Sequence, residues 1–127
     1  MLKKNALFLI LCLSAAVTTY SQRVIIANPA STYAKFMGLE SETRTDSVGN
    51  QIRVCILPDR SECDEWDFFR GKCGREYSYC ALKGCLTQTD STATSEFAVC
   101  ICPDSCGSNK RIPLLEFMEQ NGDKLIK

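Results

Sequence analysis

Eight cysteines fall between residues 55 and 106, at positions 55, 63, 73, 80, 85, 100, 102 and 106. Spacing this dense restricts a chain to small, loop-rich folds held by disulfides, or to folds organised around a metal. The compartment decides between them, because disulfides persist where no reducing pool keeps thiols apart. The front of the chain bears on that choice. Lys3 and Lys4 precede an apolar run from Ala6 to Thr19, with small residues at Thr19 and Ser21, the order of a secretory leader cut ahead of Gln22. The run is shorter than the roughly 20 residues a spanning helix needs, and Leu11 before Cys12 does not suit lipidation. Residues 1–21 are expected to be removed as a signal peptide, taking with them Cys12, the remaining one of the nine cysteines.

The expected mature chain has 127 − 21 = 106 residues, enough for one small domain or two very small modules. Of the 15 basic residues two leave with the leader, so 13 face 15 acidic ones, a net charge of −2 without long blocks of either sign. That balance speaks against nucleic acid and against an anionic membrane surface as partners. No stretch after residue 21 is apolar enough to insert into a membrane. The segment "CICPDSC" could present thiolates to a soft metal, but the chain has no histidine and lacks the paired Cys-x-x-Cys spacing of zinc sites, so neither metal nor cofactor is expected. The missing histidine also removes the commonest general base and any Ser-His or Cys-His nucleophile.

A second feature is repetition. "YAKFMGL" from Tyr33 stands over "YCALKGC" from Tyr79, and "VCILPD" over "VCICPD", with 22 positions from Tyr33 to Cys55 and 21 from Tyr79 to Cys100. Matching motifs in matching order suggest a tandem duplication, with residues 22–74 as a first cysteine-rich unit and 75–127 as a second, diverged one. In the first, Asn28 and Pro29 suit a helix start and Gly38 its end. Thr43–Thr45 and Gln51–Leu57 flank "DSVGN" as a hairpin. "SECDEWDFFRG" reads as a second helix, with Ser61 and Asp64 in a capping-box-like spacing, acidic residues at its positive end and Gly71 at its stop. The second unit repeats the plan with helices over 75–83 and 113–120 around strands over 86–89 and 97–101. The expected fold is therefore small, disulfide-rich and α+β, built from two tandem helix–hairpin–helix units.

"NPASTYAKFMG" followed by "VCILPDRSECDEWDFFRGKC" resembles a small, mainly bacterial family, number 333 in the domain-of-unknown-function series. Its members resemble exported or envelope proteins and often bear a haemolysin label. The family pattern of Asn-Pro-Ala-Ser, Tyr-Cys, Gly-Gly, Val-Cys, Pro-Asp-Gly-Ser, Cys, Glu-Trp and Arg-Gly-x-Cys is met by Asn28, Pro29, Ala30, Ser31, Tyr33, Gly38, Val54, Cys55, Pro58, Asp59, Ser61, Cys63, Glu65, Trp66, Arg70, Gly71 and Cys73. In the second unit it holds only at Tyr79-Cys80, Gly84, Val99-Cys100 and Pro103-Asp104. The first unit has Ala34 in place of the family's cysteine, and the second has no counterpart of Cys73.

Comparing the units suggests a pairing. Cys85 and Cys102 stand where the first unit has Leu39 and Leu57, so a bridge between them would replace an apolar contact. Cys55 with Cys63, Cys100 with Cys106, and Cys73 with Cys80 would use the rest, one choice among the 105 that eight cysteines allow. On the second helix, Trp66 and Arg70 are the candidate binding residues. The plainer reading packs Trp66 and Phe69 into the core and sets Arg70 against the helix dipole or Asp67. Glu62, Asp64, Glu65 and Asp67 read as a solvated helix start, without the alternating oxygen ligands of a calcium loop.

The expected function is a binding or inhibitory module, secreted, or periplasmic or envelope-bound if bacterial, directed at a protein or cell-envelope component and without enzymatic activity. A membrane-active, haemolysin-like role is the alternative implied by the family label. A thiol oxidoreductase using Cys100 and Cys102 is a third, though nothing basic lies beside them to lower a thiol pKa.

Overall fold

The computed structural model describes residues 28–125, so the expected leader lies outside the described residues. Helix α1, Pro29–Phe36, forms because Asn28 Oδ1 accepts from the backbone N–H of Ala30 at 3.0 Å and Pro29 has no N–H to leave unpaired. Ala30, Tyr33 and Ala34 are its buried face. Strands β1, Glu40–Thr45, and β2, Gln51–Ile56, pair antiparallel from Glu40↔Ile56 to Thr45↔Gln51. Asp46 Oδ1 closes their turn by accepting from Val48 N and Asn50 N.

The next segment corrects the helix–hairpin–helix expectation. After Pro58 the chain reverses tightly: Leu57 N–H donates to Ser61 O at 2.9 Å, Arg60 N–H donates to Leu57 O at 2.8 Å, and Arg60 sits at φ 68°. Residues 62–64 return as a third strand, β3, with Val54↔Asp64, Cys55↔Cys63 and Ile56↔Glu62 in register. Only at Asp64 does helix α2, Glu65–Phe69, begin, with Asp64 Oδ1 capping Trp66 N and Asp67 N. The acidic run read as a helix start is therefore half strand, because Pro-Asp with a left-handed residue turns the chain back instead of starting a helix.

The second half follows the same succession. A 3-10 turn at Arg75–Tyr77 ends at Ser78, which is extended and caps α3, Tyr79–Leu82, so the single helix expected over 75–83 is broken in two. Strands β4, Leu86–Ser91, β5, Glu96–Pro103, and β6, Asn109–Pro113, form a second antiparallel sheet, and α4, Leu114–Gln120, closes it. Each half is thus helix, three-stranded meander, helix. The protein is an α+β fold of two antiparallel three-stranded sheets with short helices, and it contains no helix–hairpin–helix unit.

One core runs through both halves. Tyr33 packs its ring 5.1 Å from Phe68, Tyr79 stands edge-on to Phe117 at 5.8 Å, and the buried Tyr79 N–H donates to Tyr33 Oη at 2.9 Å. The crossover from α2 is pressed between the sheets. A Cβ on Gly71 would come within 2.8 Å of Thr87 Cγ2, and one on Gly74 within 2.9 Å of Phe68 and 3.0 Å of Leu57. Both glycines are left-handed, at φ 77° and 64°, so conformation and space each require the missing side chain.

Candidate functional site

Among the described residues three disulfides form: Cys63–Cys73, Cys80–Cys100 and Cys85–Cys102, with Cα separations of 6.1, 5.2 and 4.5 Å. The last joins the two positions exchanged for Leu39 and Leu57. The other three pairs inferred from sequence are not formed. Cys55 faces Cys63 across β2 and β3, yet its Sγ donates to Cys63 O at 3.2 Å while Cys63 is bonded to Cys73 beyond α2. Cys80 does not reach Cys73, because α3 packs on its own sheet and presents Cys80 to Cys100. Cys106 lies in the exposed turn past Pro103, three strand residues and about 10 Å along β5 from Cys100, beyond what a disulfide spans. Cys55 and Cys106 keep free thiols.

Cys55 is free for a reason visible in both halves. Cys80 and Cys100 pair between α3 and β5; in the first half the same places hold Ala34 and Cys55, both completely buried. Burial pushes the Cys55 thiol up to about 11, reinforced by the nearby Glu65 and Asp64 charges, so at neutral pH it is a protonated, inert core group. Cys100 and Cys102 are bonded to separate partners and not to each other.

Trp66 and Arg70 do come together. Arg70 Cζ lies 5.0 Å from the centre of the Trp66 ring, and Phe69 meets that ring edge-on at 6.1 Å. Trp66 is not the core residue expected: it is 38 % exposed, while Phe68 is buried. The short helix explains this. Starting at Glu65, α2 turns Glu65 and Phe68, three apart, to the interior and leaves Trp66 beside solvent.

Glu65 is the residue that sequence reasoning missed, having read it as solvated. It is 2 % exposed, accepts from Ser31 Oγ at 2.5 Å and faces Arg53 Nε at 3.4 Å. Burial alone would raise its pKa, but hydrogen bonds from Ser31 and Ser41 and the Arg53 charge outweigh it and hold the carboxyl below its usual range. The carboxylate therefore ties α1, β1 and β2 to the start of α2. Its only signal in the sequence was membership of the family pattern, as for Ser31.

Above this network lies an open groove of about 260 Å³ lined by Asn28, Gln51, Arg53, Asp64, Glu65 and Trp66. In the second half, Ala98 and Leu114 replace Arg53 and Glu65, and a cleft of about 270 Å³ there is lined by apolar residues with Phe69 and Phe97. Among the described residues no cluster of three His, Cys, Asp or Glu is placed to hold a metal, and no helix is long and apolar enough to cross a membrane.

A protein of Archaeoglobus fulgidus described as "Uncharacterized protein" is 28 % identical over 96 residues, covering 75 % of this chain and 45 % of its own length. This chain thus spans less than half of that relative. No solved structure matches it. Residues 25–72, which include α1, the first sheet and α2, match the model of the family described as Domain of unknown function (DUF333).

Proposed function

We propose that the protein is an exported binding module that presents a rigid surface to a protein or cell-envelope component, without turning over a substrate or lysing membranes. The observation that carries this reading is the set of three disulfides around a single core, the chemistry of an oxidising compartment. A surface held this way loses little conformational entropy when it binds. The exposed Trp66, fixed by Arg70, is the side chain best suited to contribute contact area. The second half is read as a diverged copy of the first that kept the scaffold and exchanged the polar groove for an apolar one.

Three measurements test the proposal. Intact mass of the exported product should begin at Gln22. Capture from the extracellular or periplasmic fraction with the oxidised protein should retain a partner that the Trp66→Ala variant releases. Dose-dependent dye release from liposomes by the pure oxidised protein would instead favour the haemolysin-like role.

A further inference from the structure

We propose that the groove beside Trp66 is a saccharide site, taking one or two uncharged pyranose rings of a glycan. This rests on the reading of the chain as a binding module and names the chemistry of what it binds. The first ground is the wall. Trp66 is held by the Arg70 guanidinium at 5.0 Å and the edge of Phe69 at 6.1 Å, yet remains more than a third exposed. A fixed, half-exposed indole matches the apolar C–H face of a pyranose and loses almost no side-chain freedom on contact.

The second ground is the rim. Asn28 uses Oδ1 to cap α1 and Asp64 uses Oδ1 to cap α2, which leaves Nδ2 and Oδ2 for other partners. Arg53 points Nε at Glu65 and keeps its two terminal nitrogens, and Gln51 adds an exposed amide. Donors and acceptors thus both line the groove beside one aromatic wall, as hydroxyl groups that both donate and accept require. The third ground is charge. Arg53 and Arg70 are balanced by Asp64 and Glu65 around the groove, so neither an anion nor a cation is favoured over a neutral polar ligand. A volume of about 260 Å³, open on one side, suits a ring or two of a longer chain and not a fully enclosed small molecule.

Trp66 is the single tryptophan of the chain, so its fluorescence reports on this groove alone. The oxidised protein running from Gln22 to Lys127 is titrated with chitotetraose, maltotetraose and tetragalacturonate, following emission and protection from acrylamide. At least one of the two uncharged probes should shift the emission saturably and shield Trp66, and the pair distinguishes N-acetylated from plain glucose rings. Calorimetry should then find binding at least about tenfold weaker in Trp66→Ala and partly retained in Trp66→Phe. Arg53→Gln should weaken it about threefold or more, each variant keeping the wild-type far-UV spectrum. Binding of tetragalacturonate alone would overturn the proposal in favour of an anion site. So would a Trp66 already inaccessible to acrylamide in the free protein, which would mean that the chain ahead of Asn28 fills the groove. No response to either neutral probe, combined with a captured protein partner that depends on Trp66, would overturn the saccharide and leave the binding module standing. Absence of both would remove the two together.

Discussion

Ala34 and Cys55 occupy the sequence positions that correspond to the bonded Cys80 and Cys100, and neither is exposed to solvent. Ala34→Cys should therefore form a fourth bridge to Cys55 without moving the backbone. Closing the loop between them is worth about 3 kcal/mol on the chain-entropy estimate. A thiol assay in denaturant should fall from two reactive groups to one, with a rise in melting temperature; an unchanged count would mean the halves differ in geometry there. In the native protein only Cys106 should react quickly, because Cys55 is buried and its pKa is about 11. Glu65 supplies a pH test. Its folded pKa is depressed, so its contribution to stability is fully present above the ordinary Glu value of about 4.3 and is lost as pH falls through the lower folded value. Glu65→Gln should destabilise the fold at pH 7 by about 1–3 kcal/mol and flatten the acid limb of the stability curve, as read by denaturant unfolding at a series of pH values. Residue types could be read from the sequence here, but partners could not. Which cysteine meets which, and whether an acidic residue beside a tryptophan is buried, depends on contacts tens of positions apart, such as Ser31 with Glu65.

At the scale of elements, the decisive piece is the turn from Leu57 to Ser61. Arg60 is the one described non-glycine residue at positive φ, a conformation that costs a side-chain-bearing residue about 1 kcal/mol. The family pattern has glycine there. Arg60→Gly should therefore stabilise the protein by up to that amount and raise the melting temperature by roughly 4–8 °C, since the turn is formed in either case. A fall in stability would show that the arginine side chain makes a contact that matters more than backbone strain. The helices and first hairpins were legible because they carry local signals: Asn-Pro ahead of α1, Asp and Gly-Asn around the β1–β2 turn. The third strands were not. β3 has only three residues, too few for an alternating pattern, and its sequence Glu-Cys-Asp leads directly into a helix whose cap, Asp64, is also the last strand residue. Acidic residues before a helix look alike whether they belong to its first turn or to a strand that precedes it.

For the whole molecule, the question is whether two similarly built halves unfold as one. The expected boundary at residue 74 falls inside the crossover, where a side chain at Gly71 would meet Thr87 and Gln88 of β4 and one at Gly74 would meet Phe68 of α2 and Leu57 beyond β2. Lys72 also pairs with Glu96, and Thr89 Oγ1 donates to Arg70 O at 2.7 Å. The deepest link is the Tyr33 hydroxyl, buried, with its pKa pushed up to about 12 chiefly by that burial, and accepting from the Tyr79 N–H at the start of α3. Repeated motifs announced two units, but a shared core joins surfaces that no motif marks, so cooperativity was not legible. Unfolding should appear as a single transition: Trp66 fluorescence, reporting on the first half, should coincide with the loss of amide-exchange protection in β5 of the second. Tyr33→Phe removes the acceptor and leaves a buried N–H unpaired, which should cost about 1–3 kcal/mol. If the core is continuous, that loss moves both signals by the same amount. If the halves are independent, the variant separates them, with the tryptophan transition shifting while the exchange protection of β5 stays where it was.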